Sequence, residues 1–144
     1  MKLYLPEYTP KSADPISDLL RDSKTIAVVG LSSQPHRPSH EVASYLQSVG
    51  YQIIPVNPNE SEVLGHKSYA RLEDVPVPVD IVDVFRRPEY VPAITDSAIA
   101  IHAKALWMQQ GITHSASADK AQAAGLIVVQ DACLLVEHKK RRSR

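Results

Sequence analysis

The chain has 144 residues, and its 16 Lys plus Arg balance 16 Asp plus Glu, so the formal net charge is zero. That length suits one domain with one core, and neutrality offers no global pull on nucleic acid or a membrane surface. The single cysteine, Cys133, excludes an intrachain disulfide.

In chain order, the first dozen residues read as an irregular arm without the apolar core of a signal peptide. A short helix is expected over Asp14–Asp22, with Asp14 as N-cap and Pro15 in its first turn. Ile16, Leu19 and Leu20 share its inner face. Thr25–Val29 is a β-branched apolar run and reads as a strand. Pro38–Val49 follows as a helix, with Val42, Tyr45, Leu46 and Val49 at helical spacing and Gly50 as its stop. Tyr51–Val56 is a second strand, and residues 59–78 form a long polar connection with one turn at Arg71–Asp74.

Ile81–Phe85 is a third strand, followed by a helix from Pro88 to Ile101. Ala103–Met108 is a fourth strand, Ser115–Ala124 a helix stopped by Gly125, and Leu126–Val129 a fifth strand. Asp131–His138 closes the fold as a helix, and Lys139–Arg144 reads as a solvated basic tail. The organisation is therefore an arm with a short helix (1–22), one α/β domain (23–138) and a tail (139–144). Alternating strands and helices, with strands almost continuously apolar, predict a Rossmann-like doubly wound sheet of about five parallel strands, with helices on both faces.

In such sheets ligands sit beyond the C-terminal strand ends. The first of these is the loop of KTIAVVGLSSQPHRPSHEVASYL, residues 24–46. Gly30 allows close backbone approach, while Ser32, Ser33 and Gln34 offer short side chains and backbone N–H groups. The next helix adds a positive N-terminal end, Arg37 a fork suited to phosphate, and Ser39 either a helix cap or another donor. The plainer reading is a polar loop with a capped helix.

The second strand ends in Asn57-Pro58, where an NAD-binding domain usually has Asp or Glu. A neutral end there tolerates a phosphorylated ribose. Glu60 is expected to lie outside this end. After strand three, Phe85 is placed to cover an adenine and Arg86 to meet a phosphate. After strand four come Met108, Gln109, Gln110 and Gly111.

Taken together, VVGLSSQPHRPS, IIPVNP, VDIVDVFRRPE, ALWMQQGI and VVQDACLLVEH resemble the CoA-binding protein family, which is similar to the N-terminal domain of the succinyl-CoA synthetase α-subunit. The resemblance covers most of residues 24–138. It implies coenzyme A bound across the strand ends, with Ser32, Ser33 and Gln34 at the phosphates and Arg37 assisting. It further implies Asn57 and Pro58 after strand two, Phe85 and Arg86 on the nucleotide side, and Met108, Gln109 and Gln110 along the other flank. The synthetase's second domain, with its phosphorylated histidine, has no counterpart in these residues. Binding of CoA or acyl-CoA without catalysis is thus expected, in the cytoplasm, with neither nucleic acid nor membrane as partner. The alternatives are an NAD(P)-dependent oxidoreductase or a nucleotide-sensing module.

Other chemistry is weaker. The six histidines show no zinc spacing with Cys133, and no G-x-S-x-G elbow occurs. Cys133 and Trp107 read as core, Asp80 as a strand-start residue, and Asp83 as a structural hydrogen-bond acceptor. A mixed disulfide between Cys133 and the CoA thiol is the functional alternative for the cysteine.

Overall fold

Short apolar runs flanked by turn residues, β-branched except in Ala105–Met108, become the central strands. The computed structural model describes residues 1–7 and 12–142. It contains β1 (Lys2–Tyr4), α1 (Pro15–Asp22), β2 (Thr25–Val29), α2 (Pro38–Ser48) and β3 (Gln52–Val56). A short hairpin follows, β4 (Glu62–Val63) with β5 (His66–Lys67), then a 3-10 turn at Leu72–Asp74. The second half runs β6 (Ile81–Val84), α3 (Val91–Ala100), β7 (Ala105–Met108), α4 (Ser115–Ala123), β8 (Ile127–Gln130) and α5 (Leu134–Arg142).

The main sheet has six strands in the order β1-β8-β7-β6-β2-β3. The five from β2 to β8 are mutually parallel, as expected. The sixth, β1, is a correction to the irregular arm. It adds antiparallel to β8, with Leu3 opposite Val129. After β3 the chain crosses to the other side of β2 to form β6. The switch point of the sheet therefore lies between β2 and β6, where a ligand crevice forms at the strand ends.

Both faces are covered. Ile26, Val28, Ile53, Ile81 and Trp107 pack with α1, α2 and α5 on one side. Ala27, Val29, Val82, Leu106 and Met108 pack with α3 and α4 on the other. This alternation along each strand is the period-two rule of a pleated sheet. The capping expected for α1 is present: the Asp14 carboxylate accepts the Ser17 N–H at 3.2 Å. Asp80 accepts the N–H groups of Lys24 and Thr25 and so ties the start of β2 to the start of β6.

The last helix departs from expectation at both ends. It cannot start at Asp131, whose φ of 56° is left-handed, and it begins at Leu134. It also runs on through Lys139–Arg142, where a free tail was expected. Arg141 is the reason. Its guanidinium pairs with Asp14 and with Glu137, each at 2.9 Å, locking the end of α5 to the start of α1. The rest of the expected tail, residues 143–144, lies outside the described residues. Among the described residues, no helix is long and apolar enough to cross a membrane.

Candidate functional site

The switch point is narrow because Gly30 and Phe85 end neighbouring strands. Gly30 has φ 89°, and a Cβ placed on it would lie 2.4 Å from the Phe85 carbonyl oxygen and 2.9 Å from Arg86 Cδ. The close approach that demands glycine is thus between the two strand ends.

Two clefts open from this point. The first, about 310 Å³, lies on the α3 side and is walled by Val29, Val56, Pro58, Leu72, Arg86 and Tyr90, among others. The second, about 600 Å³, lies on the α2 and α5 side. Val42, Phe85, Arg86, Gln109, Ile112 and Cys133 are among its walls. Arg86 lines both clefts, and its guanidinium lies over the Tyr90 ring, 4.2 Å from the centroid. Such a cation–π contact holds the charge in place at modest cost to its hydrogen-bonding capacity.

The loop after β2 forms the rim, but its expected free N–H groups are engaged. The Ser32 N–H donates to Ser39 Oγ at 3.0 Å, and the Gln34 N–H donates to Ser32 Oγ at 3.1 Å. Ser39 is buried, so it braces the loop and does not cap α2, whose N-cap is Arg37. The Ser33 N–H donates to the Glu60 carboxylate at 2.6 Å. Glu60 does lie beyond the end of β3, as expected, yet it reaches back across the rim. That hydrogen bond holds its carboxyl below the usual carboxylate range. Arg37 is exposed and, among the described residues, makes no ion pair or side-chain hydrogen bond.

Asn57 is a brace. Its Nδ2 donates to the Leu31 carbonyl at 3.0 Å and its Oδ1 accepts the Asn59 N–H at 2.9 Å. Met108 is fully buried in the α3/α4 core, because its side chain falls on the sheet face away from the second cleft. It is corrected from a flank residue to a core residue. Gln110 is exposed at the cleft mouth. Of the expected site residues, Pro58, Phe85, Arg86, Gln109 and Gln110 line the clefts, and Ser32, Ser33, Gln34 and Arg37 form the rim.

These strand ends match a known pattern: a family model described as CoA binding domain covers residues 24–139. The chain belongs to this CoA binding domain family. It is 41% identical over 129 residues to "Uncharacterized protein YneT" of Bacillus subtilis, covering 90% of this chain and 95% of that one. A solved structure, cell-free ID.343 from Thermus thermophilus, superimposes with TM-score 0.83 at 41% identity, over 85% of this chain and 93% of that one. The α-subunit of acetate–CoA ligase (ADP-forming) II from Pyrococcus furiosus is 32% identical over 75 residues, 51% of this chain but 16% of the ligase subunit.

Within this CoA binding domain, sequence reading missed the first cleft's outer wall. Ala70, Leu72 and Glu73 come from the long connection, Tyr90 from the residue that precedes α3, and Ile94 and Ser97 from a half-buried side of α3. Tyr90, four residues after Arg86, was the available signal. Trp107 is core as expected, donating to the Ala132 carbonyl at 2.8 Å. Cys133 is half-buried on the wall of the second cleft, not sealed in the core. His138 lines neither cleft, and its Nδ1 lies 2.7 Å from the Tyr45 hydroxyl. Among the described residues, no group of three or more His, Cys, Asp or Glu is placed to hold a metal ion.

Proposed function

We propose that this protein is a small module that holds coenzyme A, free or acylated, across its strand ends without catalysis of its own. Arg86 carries the reading, because it stands at the switch point between two clefts of unequal size. Coenzyme A is a two-ended ligand, a phosphorylated adenosine joined through pyrophosphate to a long pantetheine arm. The smaller cleft, with Tyr90 and aliphatic walls, suits adenine. The larger suits the arm. A guanidinium between them, with Arg37 and the start of α2 at the rim, suits the pyrophosphate. The family supports a CoA-related role. The ligase likeness covers too little of that protein to bring its reaction here.

Calorimetric titration with CoA, NAD and NADP in parallel tests this. CoA is expected to bind best, and at about 100 times Kd to raise stability by roughly 2.7 kcal/mol. Arg37→Ala is expected to weaken CoA binding with the fold unchanged, since that side chain has no ion pair or hydrogen-bond partner among the described residues. No heat with millimolar CoA rejects the proposal.

One observation favours the NAD(P) alternative: Glu60 brings a carboxylate to the rim that the β3 end lacks. Preference for NAD in the same titration would install that reading.

A further inference from the structure

An aspartate in the middle of a parallel sheet calls for an explanation. Asp83 sits on β6 opposite Trp107 of β7, on the face that carries α1, α2 and α5. It has no exposed surface. Its Oδ2 is sealed from solvent without a partner. Its Oδ1 accepts one hydrogen bond, from Gln109 Nε2 at 2.6 Å. A buried acid with so little compensation costs stability, and an apolar residue of similar size would fit the strand better.

Gln109 is only 4% exposed, yet it forms part of the wall of the second cleft. Its backbone is pinned: its N–H donates to the Val84 carbonyl, and its own carbonyl accepts from Ile112. Its amide nitrogen is held by Asp83. Its Oε1 accepts no hydrogen bond among the described residues, and it is not among the sealed, unpartnered atoms. The carbonyl oxygen is therefore the end of this amide that opens onto the cleft. Around it the walls are largely apolar: Val42, Phe85, Ile112 and Cys133. An acceptor set among such walls selects a donor, because a ligand group that fails to donate leaves it desolvated.

We propose that Asp83 is a positioning residue that holds the Gln109 amide with its carbonyl oxygen facing the larger cleft, where it accepts an amide N–H of an extended chain such as the pantetheine arm. This rests on the CoA reading above and adds which residue reads the arm and what fixes its polarity. Without the Asp83 Oδ1 acceptor, the amide turns freely and presents a donor as readily as an acceptor.

The test compares CoA with phosphoadenosine diphosphate, its nucleotide half without the arm, by calorimetry. Asp83→Val is expected to weaken CoA about tenfold and leave the nucleotide half unchanged, as loss of one oriented hydrogen bond predicts. Asp83→Asn keeps an acceptor for Gln109 Nε2 and is expected to restore CoA affinity to within about twofold of wild type. Should Asp83→Val not fold, Gln109→Leu provides the same comparison, with CoA alone weakened. Equal weakening of both ligands, or wild-type CoA affinity in the Val and Leu variants, overturns the proposal. A wild-type protein that binds the nucleotide half as tightly as CoA also overturns it. One that binds neither overturns the CoA reading itself.

Discussion

The Glu60 carboxylate accepts the Ser33 N–H at 2.6 Å, from 27 residues further along the chain. An internal anion thus already occupies one donor of the loop beneath which α2 begins. Any phosphate arriving at that N–H must displace it. Glu60→Ala is expected to tighten CoA binding roughly threefold, the scale of a surface charge contact. Glu60→Gln is expected to fall between the two. Calorimetry checks both, and weaker binding by Glu60→Ala would make Glu60 a ligand contact in its own right.

Asp83 predicts a pH dependence of stability. Burial pushes its carboxyl up to about 7, and the hydrogen bond from Gln109 offsets only part of that. The folded chain keeps this proton toward neutrality, whereas an unfolded chain releases it near pH ~4. The contribution is therefore fully present below about pH 4 and is lost as pH rises through 7, by an amount on the order of 4 kcal/mol. Asp83→Asn removes this slope and is expected to be the more stable protein above pH 7. Urea unfolding of both proteins across pH 4–8 measures it. Parallel curves would count against the assignment.

The parallel strands were legible because each is a short, almost continuously apolar run bounded by glycine, proline or a polar turn. The cap of α1 was legible because Asp14, Pro15 and Ser17 act within one turn. What escaped depends on partners distant in sequence. β1 is three residues long and exists by pairing with β8. Helix α5 extends through Arg141 because Asp14, 127 residues away, receives it. The same holds at the site. The rim loop and Arg86 could be read from local chemistry. Nothing local tells that Glu60 returns to Ser33, or that Asp83 and Gln109 meet from adjacent strands. Met108 was misplaced by one step of the pleat, which sends it to the opposite face from Gln109.

The Arg141 junction predicts a stability effect separable from binding. Its side chain is 14% exposed, against 23% for Asp14 and 9% for Glu137. Removing the cation leaves two carboxylates near one another, one of them buried, with Lys140 at 3.3 Å from Glu137 as partial relief. Arg141→Ala is expected to cost about 2–4 kcal/mol, the scale of breaking a partly buried pair. Arg141→Lys is expected to recover part of that but not the fork geometry. Urea denaturation gives both values. CoA affinity is expected to stay unchanged, because α5 runs away from the strand ends and Arg141 lines neither cleft.

Gly30→Ala concentrates both costs at the switch point. The substitution forces a side chain into φ 89° and sets its Cβ 2.4 Å from a carbonyl oxygen that belongs to the neighbouring strand. Backbone strain alone is about 1–2 kcal/mol. The clash adds to it, because the Phe85 carbonyl cannot move without disturbing the β2–β6 pairing that its own N–H makes with Val29. The strand ends are expected to part, carrying Arg86 away from Tyr90 and changing both clefts together. The expected result is a protein destabilised by about 3 kcal/mol or more, with CoA affinity lower even at temperatures where it is fully folded. Gly125→Ala is the matched control. It has a similar φ of 96° with nothing within 4 Å of the added carbon, and it lies at the end of α4, so it carries the strain without the clash or the effect on binding. Equal losses of stability in the two variants, with CoA affinity intact in both, would show that the approach of Gly30 to Phe85 does not shape the site.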